Sequence, residues 1–158
     1  MGTEIEHKFL VNTAVWNAVT PGVTYRQGYL SSVKERVVRV RTAGDKAFLT
    51  IKGITTGMTR LEFEYPIPQA DALALLDLCE KPLVEKTRYK QSVGGFVWEI
   101  DVFHGDNDGL VVAEIEVPDE ATIFERPPWV AAEVSSDSRY FNSNLAVNPF
   151  RKWGGSHG

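Results

Sequence analysis

The chain is predicted to be mainly β (α+β), built on an antiparallel sheet with a few helices, and three observations predict it. Apolar and polar residues alternate with period two in seven separate segments. Glycine- and Asn/Asp-rich connections of hairpin type join several of them. Only three stretches carry helix-like spacing or caps. A length of 158 residues matches a single domain of about 150. Residues 1–150 are therefore expected to form one unit. Residues 151–158, Arg-Lys-Trp-Gly-Gly-Ser-His-Gly, are expected to be a flexible tail, of a composition that expression vectors append.

The first alternating run, Thr3 to Phe9, sets Glu4, Glu6 and Lys8 on one face against Ile5, His7 and Phe9. Val37 to Arg41 sets Arg39 and Arg41 against Val38 and Val40, and a turn at Ala43-Gly44-Asp45 leads into Ala47 to Lys52, so these two strands read as a hairpin. Arg60, Glu62 and Glu64 then oppose Leu61, Phe63 and Tyr65. Ala72, Leu75, Leu76 and Cys79 stand at i, i+3, i+4 and i+7, which predicts an amphipathic helix over 69–80, ended before Pro82. Lys86, Arg88 and Lys90 alternate with Thr87 and Tyr89. Glu99 and Asp101 oppose Trp98, Ile100 and Val102, and Glu114 and Glu116 oppose Ala113, Ile115 and Val117. Short helices are expected over 119–125, with an acidic first turn and a stop at Pro127-Pro128, and over 13–19, capped by Asn12 or Thr13.

Composition narrows the function classes. Apolar residues make up 43% and charged residues 24%, which excludes collagen-like, coiled-coil and disordered chains. No apolar run approaches the ~18 residues of a membrane span, and the acidic start Met1 to Val11 lacks the basic region of a signal peptide. One cysteine, Cys79, leaves no internal disulfide or multi-cysteine metal site. A cytoplasmic setting is expected. The net charge of −4 offers no sustained basic face for nucleic acid. Yet charge is segregated: Tyr25 to Arg60 holds eight basic residues and two acids, and Glu99 to Arg126 holds nine acids and one base.

A solvated sheet face with cross-strand ion pairs would explain any one of these strands. Three features lean the other way. The polar faces are nearly all charged. Their charges come as same-sign pairs two residues apart, about 7 Å on one face: Glu4/Glu6, Arg39/Arg41, Glu62/Glu64, Lys86/Arg88, Glu114/Glu116. Such a face repels itself unless a ligand or an opposite wall offsets it. If the sheet closes with that face inward, the interior is a wet tunnel. Its six cations (Lys8, Arg39, Arg41, Lys52, Lys86, Arg88) suit a chain of phosphates. Its carboxylates at Glu4, Glu6, Glu114 and Glu116 suit Mg2+ or Mn2+, hard ions that take oxygen ligands.

The motifs follow one another in a known order. Glu4-Ile5-Glu6-His7-Lys8 is an ExExK run; Val38 to Arg41 supplies RxR, Thr50 to Gly53 TxKG, Arg60 to Glu64 RxExE, Lys86 to Arg88 KxR, Glu99 to Asp101 an acidic strand, and Glu114 to Glu116 ExE. With Glu133-Val134-Ser135, Tyr140 and Asn144-Leu145 as a closing segment, residues 1–146 resemble the CYTH, or triphosphate tunnel metalloenzyme, superfamily, and within it the short bacterial inorganic triphosphatases. The resemblance implies a closed eight-stranded antiparallel barrel with covering helices. It implies metal ligands at Glu4, Glu6, Glu114 and Glu116, and a phosphate cradle of Lys8, Arg39, Arg41, Lys52, Lys86 and Arg88. Glu62, Glu64 and Asp101 become further tunnel acids. Glu4, Glu6, Lys8 and Tyr29 are implied as catalytic, with Tyr25 a rival for the tyrosine that reaches Lys8.

The expected function is divalent-metal-dependent hydrolysis of inorganic tripolyphosphate, with Mg2+ or Mn2+ as cofactor, no nucleic-acid or membrane partner, and a homodimer left open. Hydrolysis of thiamine or nucleoside triphosphate, or polyphosphate binding without cleavage, are the alternatives. Adenylate cyclase activity is disfavoured because only Met1-Gly2-Thr3 precede ExExK, without the His-Phe pair of the cyclases.

Overall fold

The computed structural model describes residues 5–54, 56, 61–140, 144–145, 149–150 and 153. Its strands are β1 (Ile5–Val11), β2 (Val23–Ser31), β3 (Arg36–Ala43), β4 (Lys46–Gly53), β5 (Glu62–Pro66), β6 (Val84–Val93), β7 (Phe96–Phe103), β8 (Val111–Val117) and β9 (Val130–Glu133). They form one sheet in the order β5-β4-β3-β2-β6-β7-β8-β1-β9, every pair antiparallel. The sheet has nine strands where eight were expected, and among the described residues β5 and β9 are its edges, with no hydrogen bonds joining them. The two strands the alternation did not single out are β2, whose charged-face positions hold Tyr25, Gln27 and Tyr29 in place of charges, and the four-residue β9.

Register puts the charges on one face. Lys8 lies opposite Glu114 and Glu6 opposite Glu116 between β1 and β8. Glu99 lies opposite Glu114 between β7 and β8. Arg88 faces Asp101, Arg39 faces Thr50, and Thr50 and Lys52 face Glu64 and Glu62. The opposite face is apolar and is covered in two places. Phe9, Trp98, Ile100, Ala113, Ile115 and Val117 pack with Trp129 and with the partly buried Trp16 and Phe124. Trp98 is fully buried, its ring 5.6 Å from Phe9, 5.9 Å from Phe124 and 5.4 Å from Trp129. Val40 and Ala47 lie under the second cover, the helix α1 (Gln69–Leu78), with Ala72, Leu76 and Cys79. The helix end sits so close to β2 that a Cβ at Gly28 would lie 2.8 Å from the Cys79 Cβ and 2.6 Å from a Leu83 methyl. Glycine is required there by the close approach.

One end of the charged face is shut by apolar side chains. Tyr29, Val84, Phe103 and Val112, with Leu10 and Val37 at the margin, meet Leu110, Tyr140 and Leu145 in one cluster. These residues come from six strands. In a flat sheet β3 and β1 would be five steps apart, roughly 24 Å. A shared cluster therefore requires the sheet to bend around it, with the charges on its concave side. Trp153, within the span read as a tail, packs edge-on to Tyr140 and Phe150 at 5.1 and 5.0 Å.

Two expected helices are turns. At 13–19 the Asn12 side chain accepts from the Ala14 N–H and its carbonyl from Val15 and Trp16. That single turn is followed by Val19, Thr20 and Pro21, which do not propagate a helix. At 119–125 the Asp119 carboxylate accepts from the Ala121 N–H and the Thr122 hydroxyl. The chain then runs irregularly, turning Phe124 into the core: burial of one aromatic wins over a second helical turn. Among the described residues no helix is long and apolar enough to cross a membrane.

Truncation of the central tryptophan tests this account of the outer face. Trp98→Ala is expected to cost about 3–5 kcal/mol, read as a lower urea midpoint with an unchanged m-value.

Candidate functional site

The deepest charges on the concave face are Lys86 and Asp101, each 1% exposed. A buried ion is tolerated only with partners, and Asp101 supplies them. Its two oxygens accept from Arg88 Nε and Nη2 at 2.8 and 3.0 Å, and Lys86 Nζ lies 3.0 Å away. Burial opposes ionisation of Asp101, but the charge of Lys86 and the Arg88 fork outweigh it and hold the carboxyl below its usual range. Burial likewise lowers the Lys86 ammonium, against the pull of Asp101. One carboxylate thus serves two cations. Arg88 also reaches Glu99, Nη1 to Oε2 at 3.4 Å.

On the other side of β2, Arg39 and Arg41 share the exposed Glu64, at 3.6 and 3.9 Å. Glu64 is held by the Thr50 hydroxyl at 2.9 Å, and Arg39 Nη2 donates to Thr50 Oγ1 at 3.3 Å. The Nε donors of Arg39 and Arg41 are buried with no hydrogen-bond partner among the described residues. Burial and repulsion from Arg39 push the Arg41 guanidinium down from its ordinary value. Lys52 pairs with Glu62 at 3.4 Å. Among the described residues this wall has more cation than carboxylate, an excess that an anionic oxygen ligand would offset.

The acidic strip lies beyond it. Lys90, Val97, Glu99, Glu114 and Glu116 line a trough of about 430 Å³. Glu114 is buried and ion-paired with Lys8 Nζ at 3.4 Å, and that ammonium also donates to the Tyr140 carbonyl at 3.1 Å. The Glu6 carboxyl is pushed up to about 8 by desolvation, by a hydrogen bond to the Glu114 carboxyl, and by the charges of Glu114 and Glu116, against the pull of Lys8. A proton shared between two carboxyls is the ordinary answer to like charge at close range. An all-oxygen donor set carrying such a proton fits a hard divalent cation, which would take the proton's place. Among the described residues no three carboxylate, imidazole or thiol groups already converge on a metal position. Glu4, expected as the fourth ligand, lies outside the described residues.

The expected site residues within the described residues share one face. Lys8, Arg39, Arg41, Lys52, Lys86, Arg88, Glu62, Glu64 and Asp101 form the paired network, and Glu6, Glu114 and Glu116 the strip. Tyr29 is buried in the apolar floor, where its hydroxyl accepts from Gln27 Nε2 at 3.5 Å. Tyr25 stands higher, against Arg41 and Arg88. Glu99 and Thr50 join the site on the same face: alternation sets Glu99 beside Asp101 and Thr50 two residues before Lys52, although neither is among the expected site residues. His7 lies on the outer face, bonded through Nδ1 to Glu133 at 2.8 Å.

A concave antiparallel sheet whose one face carries a cation wall beside a carboxylate strip defines a class of protein that handles polyanions. The comparisons with known proteins agree. The CYTH domain model matches residues 2–146. An inorganic triphosphatase of Acetivibrio thermocellus is 51% identical over 154 residues, 97% of this chain and 99% of that one. An inorganic triphosphatase of Nitrosomonas europaea is 38% identical over 150 residues, 92% and 98% of the two chains. A crystal structure of an inorganic triphosphatase superposes with a TM-score of 0.74 at 36% identity, covering 93% of this chain and 96% of that one. The chain belongs to the CYTH domain family.

The Asp101 cluster has a pH signature. Its folded pKa lies below the unfolded value of about 3.9, so the stability it contributes is present above pH 4 and is lost as pH falls through the folded value. Asp101→Asn, which leaves Lys86 and Arg88 buried without their carboxylate, is expected to lose about 3–5 kcal/mol at pH 7. It should also show a flatter acid limb than the parent in urea unfolding from pH 7 to pH 2.

Proposed function

We propose that this protein is an inorganic triphosphatase that hydrolyses tripolyphosphate to pyrophosphate and orthophosphate in the cytoplasm, with Mg2+ or Mn2+ as cofactor and residues 1–150 as a single unit. The observation that carries the reading is the meeting of a cation-rich wall and a crowded carboxylate strip on one concave face. The names of the 51% and 38% identical relatives support it. In this reading the strands close into a tunnel around the substrate, as the bend of the sheet around its apolar floor suggests.

Arg39, Arg41 and Arg88 offer forked donors that match pairs of phosphate oxygens, and Lys52 and Lys86 act as point charges. Together they orient the chain and offset the negative charge that grows on the leaving pyrophosphate. Lys8 stands where the walls meet, its charge shared between Glu114 and the transferring phosphoryl group. Tyr29, opposite Arg39 in the register, supplies the hydroxyl that assists beside Lys8. The carboxylate strip orients the attacking water, whose proton passes to an ionised carboxylate of that strip while the bond from the terminal phosphorus to the bridging oxygen breaks. Glu4, Glu6, Glu114 and Glu116 would hold the divalent ion, which supplies charge neutralisation and Lewis acidity at the phosphate oxygens when bound.

Phosphate release from tripolyphosphate, ATP and thiamine triphosphate, each with Mg2+, Mn2+ or EDTA, tests this. Metal-dependent release is expected from tripolyphosphate ahead of the organic substrates, falling about 100-fold or more in Glu6→Gln. Faster release from either organic triphosphate would move the assignment to that substrate. Tight tripolyphosphate binding without release from any substrate would make the protein a binding module.

A further inference from the structure

The strand that separates the two halves of the cation wall carries no charge on its concave face. β2 lies between β3, with Arg39 and Arg41, and β6, with Lys86 and Arg88. Its concave-face residues from Val23 to Tyr29 are Val23, Tyr25, Gln27 and Tyr29. Three cations gather on the Tyr25 ring: Arg88 Cζ is 4.9 Å from its centroid, Arg41 Cζ 5.4 Å and Lys86 Nζ 6.0 Å. Two of these cations have carboxylate partners on their far sides, Asp101 on β7 for Lys86 and Arg88. Among the described residues Arg41 has only Glu64, at 3.9 Å and shared with Arg39.

A carboxylate at position 25 would quench the repulsion between these cations. It would also neutralise the wall and compete with phosphate for the same donors. The face of an aromatic ring attracts cations through its quadrupole and carries no net charge. It offsets the repulsion and leaves the full positive charge for the ligand.

We propose that Tyr25 is a positioning residue of the phosphate site: its ring holds Arg41 and Arg88 in their binding arrangement, so that the wall is assembled before the anion arrives. This rests on the triphosphatase reading for the identity of the anion. Its physical content is independent of that reading, and it assigns the work to the ring, where a role in reaching Lys8 would need the hydroxyl. Preorganisation of this kind acts on affinity, so its loss raises KM more than it lowers kcat.

Two measurements test it. In the protein without ligand, the Arg41 and Arg88 Hε resonances should be ring-current shifted in the wild type and in Tyr25→Phe, and should move in Tyr25→Leu. By calorimetry in EDTA, tripolyphosphate should bind Tyr25→Phe within about twofold of wild type and Tyr25→Leu about tenfold more weakly. KM should rise by a like factor, with kcat changed by less. If the leucine variant fails to fold, Tyr25→Met makes the same comparison. Unmoved Hε resonances, wild-type affinity in the aliphatic variant, or a phenylalanine variant as weak as the leucine one would each overturn the proposal. Failure of the wild type both to bind tripolyphosphate in EDTA and to release phosphate from it with Mg2+ or Mn2+ would overturn the triphosphatase reading, and the Hε resonances would still decide the role of Tyr25.

Discussion

Like charges two residues apart on one strand face cannot be packed into a concavity without opposite charge close by, and the rest of this structure is arranged around that constraint. The answer is strand pairing in which acid meets base: Lys8 against Glu114, Arg88 against Asp101, Lys52 against Glu62. The exceptions are informative. Arg39 and Arg41 outnumber Glu64, and Glu6, Glu114 and Glu116 crowd one another, with the Glu6 carboxyl pushed up to about 8. Residual positive charge collects at one part of the trough and residual negative charge at another. An anion with many oxygens and a divalent cation are the complements of those two excesses.

Such a face needs a scaffold that does not depend on it. The apolar side of the sheet provides that, with the aromatic cover of Trp98, Phe9, Trp129 and Phe124 over β1, β7 and β8, and α1 over β3 and β4. The Tyr29, Phe103 and Val112 floor adds a third anchor on the charged side itself. Burial of this kind is worth about 1.5–3 kcal/mol for each large side chain. That exceeds the zero to about 1 kcal/mol of an exposed ion pair such as Lys52–Glu62. Stability comes mainly from the apolar faces, with the buried Asp101 cluster locked by its own partners, and the outer ion pairs of the charged face are free to serve a ligand.

Much of the site was legible because period-two alternation records which face a residue takes, and the expected residues that the structure describes share one face. The RxR and KxR strands could be read at once, since charge alternates with β-branched or aromatic residues there. β2 escaped notice because its concave face is Tyr25, Gln27 and Tyr29 and its other face mixes Thr24, Arg26, Gly28 and Leu30. No polarity contrast marks either side. The helices expected at 13–19 and 119–125 failed for a local reason: an Asx cap satisfies the first turn, and burial of Trp16 or Phe124 takes the chain elsewhere. Pairing order was beyond the sequence, because the β2–β6 contact joins strands separated by three strands and a helix.

If the two charge excesses make the concave face a polyanion site before any metal binds, the folded protein takes up tripolyphosphate in EDTA. Thermal unfolding of the metal-free protein against tripolyphosphate concentration tests it most directly, because a ligand that binds only the folded state stabilises it by mass action. The midpoint is expected to rise with tripolyphosphate in EDTA, by about 2.7 kcal/mol of stability at 100 times the Kd, and not to rise with sodium chloride at matched ionic strength. A midpoint indifferent to tripolyphosphate, or one that rises equally with chloride, would contradict it.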